Sequence, residues 1–420
     1  MALTAEQIAI VKSTVPVVKE HGKTITTVFY QRLLAAHPEL KNYFSLRHQQ
    51  VGAQQAALAD AVFAYAAHID DLGKLAGAVE RIANKHASLF VRPEHYPIVG
   101  EFLVAAFAEV LGDALTDDVA DAWIAAYGQL ADVFIQRERR LYDEAADWKD
   151  WRPFVVDRRE PVATDVVSFY LRPKDGKPLR RYLPGQYISV RIAIPELDGL
   201  YQNRQFSLST APAEDMDVYR VSVKREETVD EPAVEDLAEG KVPGLISNKL
   251  HNDYPEGAEV LVSPPYGDFF FDHAAARPAA PAVLLSIGVG ATPLLSILES
   301  IVGSANPSRP VTWAHAARSS DRVCFGSNVR DIAARHASVK PLLFVKNVQK
   351  GDERGREYDV EGRISLDKVE SEGLLHLSDR TAGYYICGPD EWMVQSRKWL
   401  MDKGVPVERI HLELFGTGEP

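Results

Sequence analysis

A histidine inside an apolar helical stripe is a residue that can bind a metal or fill a core. In "RIANKHASLF", residues 81–90, helical spacing puts Ile82, His86 and Leu89 on one face, and Val79 extends that face one turn back. The sequence allows His86 to be a metal ligand or a core histidine with one hydrogen-bond partner. Glu138 poses the same question: it falls in the stripe made by Leu130, Phe134 and Leu141. A carboxylate there needs a partner, unless it sits at the wet edge of the stripe. Gln54 and Leu58 share a face one turn apart in "QQVGAQQAALADAVFAYAA", Tyr30 lies in "TTVFYQRLL", Phe44 follows "HPEL", and Tyr96 follows His86.

A second group suits phosphate and flat aromatic ligands. "SIGVGATPLLSIL" follows a buried run; Gly288 and Gly290 let the backbone turn, Thr292 is expected to cap the next helix, and Pro293 fits its first turn. A helix N-terminus presents free N–H groups to a pyrophosphate, although an ordinary strand-to-helix turn reads the same way. "YYICGPDEWMVQS" is a second such turn, with Cys387 at its strand end. Two turns of this kind can line one crevice at the carboxyl edge of a parallel sheet. In "NRQFSLS", Arg204, Phe206 and Ser207 offer a phosphate-binding guanidinium, a stacking ring and a hydroxyl. "PGLISNKLH" puts Ser247 and Asn248 near a helix start.

The elements that must position these residues divide into three textures. Up to about residue 145 the chain is Ala-rich, poor in Pro and Gly, and periodic near 3.6. "LTAEQ" opens the first helix with Thr4 as cap, and "AHPELKNYF", "FVRPEHYPIVG" and "LGDALTDDVADAW" mark breaks. From about 153 to 272, short β-runs separated by turns predict an antiparallel barrel or sandwich. Beyond about 281, apolar runs alternate with helical stretches, the pattern of a parallel α/β sheet. The 420 residues exceed one ordinary core. The net charge of -12 argues against nucleic acid or an anionic membrane as main partner. Two cysteines without a CxxC exclude a disulfide scaffold and a structural zinc site, and point to a reducing compartment. No signal-peptide core or membrane-length apolar run is present, so a cytoplasmic protein is expected.

Over residues 153–420 the set "PGQY", "RQFS", "GLISNKL", "PPYGDF", "GVGATP", "CGPDEWM" and "ELFG" resembles the ferredoxin–NADP⁺ reductase superfamily. The resemblance implies a flavin-binding barrel followed by a nicotinamide-nucleotide domain. It assigns FAD to Tyr187, Arg204, Gln205, Phe206, Ser207, Ser247, Leu414, Phe415, Gly416 and Thr417. Arg204 would meet the pyrophosphate, Tyr187 and Phe206 would line the flavin, Ser207 would lie near its reactive nitrogen, and Phe415 would cover its face. NAD(P) falls to Gly288, Val289, Gly290, Ala291, Thr292 and Pro293, with Cys387 near the nicotinamide. The family usually has Tyr where this chain has Phe206, so stacking survives without one hydroxyl.

Over residues 1–145, "HPELKNYF", Gln54 and "NKHASL" resemble bacterial globins, and a globin followed by a flavin reductase is the architecture of flavohemoglobins. The implied fold is an all-α globin (1–145), an antiparallel β-barrel FAD domain (153–272) and an α/β parallel-sheet NAD(P) domain (280–420). The resemblance makes His86 the ligand of haem b iron, with Tyr96 and Glu138 as partners of its other nitrogen. Tyr30 and Gln54 would hydrogen-bond O2, Leu58 and Phe44 would wall the pocket, and Lys85 and Glu413 would lie between the redox centres.

The implied activity is nitric oxide dioxygenase: NAD(P)H reduces FAD, FAD reduces haem, and NO and O2 become nitrate. Alternatives are an NAD(P)H-dependent flavohaem reductase of hydroperoxides, ferric iron or quinones, and a non-enzymatic oxygen carrier or sensor, which a complete reductase module disfavours. The chain is expected to act as a monomer. "HAARSSDRV" offers Arg318, Ser320 and Arg322 to a 2′-phosphate, or to solvent, so NADH and NADPH are both open.

Overall fold

The computed structural model describes residues 3–45, 48–49, 51–195, 199–226, 229–230, 241–242, 244–277 and 279–416. Helices α1 (Ala5–Ser13), α2 (Val15–Ala36), α3 (Ala53–Ala67), α4 (Ala76–Ser88), α5 (His95–Leu111) and α6 (Asp117–Glu144) form the first unit. Thr4 caps α1 as its sequence predicts: Gln7 N donates to Thr4 Oγ1 at 3.1 Å, and Gln7 Oε1 accepts from Thr4 N at 2.9 Å. Pro38 opens a 3-10 turn, Pro38–Asn42, rather than an α-helix. Val11, Ile25, Phe29, Leu33, Phe107 and Trp123 join in one buried core.

The second unit is a six-stranded antiparallel sheet: β1 (Arg152–Ala163), β2 (Val166–Pro173), β3 (Tyr187–Ile194), β4 (Leu200–Ser207), β5 (Tyr219–Lys224) and, after helix α7 (Leu245–Asp253), β6 (Glu259–Val262). The order is β4-β3-β6-β1-β2-β5. A bridge between Leu208 and Val221 joins the two outer strands, so the sheet closes into a barrel. Alternate residues of β3 (Ile188, Val190, Ile192 and Ile194) fill its interior.

The third unit is a parallel sheet: β7 (Ala282–Ile287), helix α8 (Ala291–Val302), β8 (Val311–Ser319), helix α9 (Gly326–Arg335), β9 (Val339–Asn347), β10 (Val360–Glu361), helix α10 (Leu366–Ser371), β11 (Gly383–Cys387), helix α11 (Asp390–Asp402) and β12 (Ile410–Glu413). Its order is β10-β9-β8-β7-β11-β12. The chain leaves β7 toward β8 and later returns to β11 on the other side, so the switch point lies between β7 and β11. Among the described residues no helix is long and apolar enough to cross a membrane.

Buried on β8, His315 lies with its Nδ1 2.9 Å from Ser286 Oγ. Burial pushes its imidazole from 6.5 down to about 4. The unfolded chain therefore binds a proton that the folded chain refuses across that window, and stability falls as pH drops through it. Between pH 7 and 5 the loss is about 2 kcal/mol. His315→Gln is expected to flatten that dependence, which amide exchange of β8 at the two pH values checks.

Candidate active site

Helix α4 sends neighbouring residues in different directions. His86 points into the helical unit, where its Nδ1 lies 2.8 Å from Glu138 Oε1 and 3.2 Å from Tyr96 Oη. Tyr96 Oη donates to the same Glu138 oxygen at 2.5 Å, and Tyr127 Oη fixes the Tyr96 carbonyl at 2.6 Å. Glu138 is 1% exposed on α6; its Oε1 takes both partners, while Oε2 is buried with none among the described residues. Burial, and then the Glu138 charge, hold the Tyr96 phenol well above its ordinary value. A carboxylate accepts, so Nδ1 is the nitrogen that donates, and Nε2 is the one left to bind a metal.

A core imidazole would be covered, yet the His86 side chain is 33% exposed. Across the unit, Tyr30 is buried on α2, edge-on to Phe44 at 5.3 Å between ring centroids; burial raises its phenol, and the Gln54 side chain opposes that rise. Leu58 lies one turn beyond Gln54 on α3 and packs on the same core. Among the described residues no three His, Cys, Asp or Glu side chains are grouped to hold a metal ion. A metal at His86 therefore needs ligands from outside the chain, as a porphyrin provides, and the donor set fits haem.

Three other residues of α4 reach out of the helical unit. Asn84 Oδ1 accepts from Gly267 N at 2.9 Å, Ser189 Oγ donates to Ser88 Oγ at 2.9 Å, and Lys85 Nζ reaches Gly416 O at 3.4 Å. Gln205 continues this line, its Nε2 3.3 Å from Ser189 Oγ. Ala83, Ala87, Tyr96 and Phe134 share one apolar cluster with Tyr266 and Tyr187 of the barrel. Burial and the nearby Arg204 push Lys85 down to about 8, opposed by Glu413. Glu413 itself is held well above the usual carboxylate range by burial and Asp268. The charges of Arg204 and Glu413 thus bear on Lys85, and that of Glu413 on Tyr187, where the first two units meet the end of β12. Asn84 and Ser88 lie in "NKHASL" and Ser189 in a plain β-run, but nothing in the sequence shows that they meet across the two units.

On the barrel, Ser207 Oγ is buried with no partner among the described residues, a hydroxyl suited to a flavin atom. Phe206 packs half-buried against the barrel core, while Phe415 is 47% exposed beside the described C-terminus and Leu414 packs on the third unit. Ser247 lies in the first turn of α7; its Oγ accepts from Glu226 N at 3.2 Å and donates to Gly244 O at 3.1 Å. Thr417 lies outside the described residues.

At the switch point, a Cβ on Gly290 would fall 2.2 Å from Cys387 O, so the turns after β7 and β11 touch and only glycine fits. Gly288, Val289 and Gly290 form a 3-10 turn that runs straight into α8 at Ala291. Thr292 is therefore inside the helix, donating to Val289 O at 2.9 Å, and does not cap it; Pro293 occupies the first turn as expected. Strand register sets Ser286, Cys387 and Glu413 side by side on β7, β11 and β12. Burial, then Glu413, keeps the Cys387 thiol high. Arg318 is exposed at the end of β8. Arg322 pairs with Asp165 of the barrel at 2.7 Å, and Asp321 accepts from Thr164 Oγ1 at 2.7 Å, so the open choice between phosphate site and solvated loop falls on neither for Arg322.

The chain matches the globin family over residues 27–134 and the oxidoreductase NAD-binding domain family over 284–398. A flavohemoprotein of Bordetella pertussis is 47% identical over 420 residues, covering 99% of both chains. The chain belongs to the flavohemoprotein family. A second flavohemoprotein, from Bacillus subtilis, is 40% identical and covers 99% of this chain and 98% of its own. The crystal structure of a flavohemoglobin from Malassezia yamatoensis with bound FAD and heme superposes with a TM-score of 0.82 at 29% identity, covering 99% of this chain and 100% of that one. The FAD/NAD-binding domain of a nitric oxide dioxygenase from Vibrio cholerae covers 64% of this chain at 32% identity with a TM-score of 0.52. As a flavohemoprotein, the chain is an oxidoreductase that takes haem and flavin, with a nicotinamide-nucleotide domain behind them.

Proposed function

We propose that this flavohemoprotein is a nitric oxide dioxygenase, oxidising NO with O2 to nitrate at the expense of NAD(P)H. The observation that carries the reading is the pair of Glu138 with His86, whose preceding residue on α4, Lys85, reaches the flavin side. When bound, haem supplies an iron that takes O2, and FAD divides the hydride of NAD(P)H into single electrons, one for each nitrate formed.

His86 would hold the iron through Nε2, while Glu138, held in place by Tyr96, fixes its tautomer and raises its basicity, favouring oxygen activation over storage. Tyr30 would donate its O–H to O2, held in place by Gln54, with Leu58 and Phe44 excluding water. Arg204, Gln205 and Ser247 would hold the phosphate side of FAD. Tyr187, Phe206 and Phe415 would enclose the ring, Ser207 would meet its polar edge, and Leu414, Gly416 and Thr417 would complete the wall. Residues Gly288 to Pro293 would receive the pyrophosphate of NAD(P), with Cys387 beside the nicotinamide and Arg318 near the adenosine. Lys85 and Glu413 would set the charge between the two redox centres. On this reading the domains span 1–145, 153–272 and 280–420, and the protein is a cytoplasmic monomer whose two thiols, Cys324 and Cys387, stay buried and free.

Purified holoprotein given NADH and NO in air should form nitrate in step with NO consumed. NADH oxidation with a reducible haem and flavin but no nitrate would replace this reading by a flavohaem reductase of other acceptors.

Donor choice follows from the ion pair at the end of β8. Nucleotide ribose lies at that strand end in sheets of this kind. Asp165 withdraws Arg322 from it, which favours NADH. Asp165→Asn is expected to raise the NADPH-to-NADH ratio of kcat/KM about tenfold, the effect of one freed guanidinium on a phosphate. Steady-state kinetics with both donors check it; an unmoved ratio removes Arg322 from the account.

A further inference from the structure

The strand that carries the flavin residues also grips the far wall of the globin pocket. On β4, Arg204 and Phe206 are flavin candidates, and the residues just before them reach across to the 3-10 turn Pro38–Asn42. Tyr201 N donates to Asn42 Oδ1 at 2.7 Å, and Asn203 Nδ2 donates to Asn42 O at 2.6 Å. Gln202 Nε2 donates to Phe44 O at 3.2 Å and Lys41 O at 3.3 Å. Gln202 is 1% exposed. Of the two carbonyls it meets, that of Lys41 is one that a short helix leaves over at its carboxyl end, and that of Phe44 lies just beyond the turn. Two residues past Asn42, the Phe44 ring stands edge-on to Tyr30.

We infer that Asn42, Gln202 and Asn203 are positioning residues for the distal side: they hold Phe44 where its ring confines the Tyr30 hydroxyl. This rests on the proposal that Tyr30 faces O2. None of the three touches O2 or flavin; each acts through the backbone of residues 41–44. The chemistry follows from which atom accepts. Tyr201 N needs an oxygen at position 42, so Asp serves and Ala does not. Gln202 needs an amide donor, so Met fills the volume and supplies none. Without these bonds the turn keeps its place in the chain but loses its fixed carbonyl partners, and Phe44 gains freedom beside Tyr30.

The rival account is that these bonds only dock the barrel on the globin. Ser189→Ala separates the two, because Ser189 bonds Ser88 across the same interface and touches nothing near Phe44. In the holoprotein, Asn42→Ala and Gln202→Met are each expected to speed O2 dissociation from the reduced haem about fivefold, the effect of a lost hydrogen bond. Asn42→Asp and Ser189→Ala should match the parent in O2 dissociation, and flavin reduction by NADH should be unchanged in the three variants at Asn42 and Gln202.

A change below about twofold in both loss variants overturns the inference, as such a change is smaller than one hydrogen bond. Equal acceleration in Ser189→Ala also overturns it, in favour of docking. Asn42 and Gln202 lie in different units, so if one variant fails to retain its cofactors the other decides. A parent protein that makes no nitrate sinks the dioxygenase reading, while the clasp still stands or falls on the dissociation rates.

Discussion

Tyr30→Phe is expected to speed O2 dissociation from the reduced protein by about 10- to 100-fold, the range for losing a hydrogen bond to a charged or strongly polarised group. The ring is 4% exposed and packs edge-on against Phe29 and Phe44, at 4.8 Å and 5.3 Å between centroids. Phe keeps that packing and removes only the hydroxyl, so a rate change reports the hydrogen bond and not a collapsed wall. Burial holds the phenol well above its ordinary value, with Gln54 opposing. The O–H therefore stays protonated, and available to donate, at every working pH. Stopped-flow displacement of O2 by carbon monoxide measures the rate. An unchanged rate would show that Tyr30 only fills space.

Glu138→Gln should be the other severe change. The amide keeps the shape of the carboxylate and loses its charge, so His86 keeps a partner but not a basic one. Substitutions beside a metal-binding histidine commonly cost about 10- to 100-fold in activity, and nitrate turnover should fall by that factor. The haem potential should rise, because a less basic imidazole stabilises ferric iron less. Tyr96→Phe removes a donor from Glu138 and leaves that carboxylate more basic, so the potential should move the opposite way and less, since the 2.8 Å contact between His86 and Glu138 remains. Redox titration beside the nitrate assay checks the pair, and an unmoved potential would refute the electronic role of Glu138.

Both residues were legible from the sequence for one physical reason. An apolar stripe that contains His86 or Glu138 breaks the rule that charge stays outside, and periodicity makes the break visible. Gly290 was legible as a tight turn, although its reason, the carbonyl of Cys387 at the switch point, needed the sheet. Thr292 was misread as a cap because the 3-10 turn Gly288–Gly290 starts the helix before it, and no local propensity marks where such a turn becomes α. Arg322 could not be resolved either: its partner Asp165 is 157 residues away and in another unit. The roles of Asn42, Asn84, Ser88, Ser189 and Gln202 are hidden for the same reason, although the first three stand inside "HPELKNYF" and "NKHASL". Short polar side chains that meet across units follow no period that would pair them.

Helix α4 also carries a constraint on how chains of this kind can change in length. Asn84, Lys85, His86 and Ser88 are read by different surroundings: the Gly267 loop, the Gly416 carbonyl, Glu138 and Ser189. One residue inserted among them would turn everything beyond it by about 100°. No rotation returns His86 to Glu138 while Asn84 keeps Gly267. Surface loops of the protein can lengthen and shorten through evolution, but this short stretch works as a ruler, and its spacing admits neither insertion nor deletion.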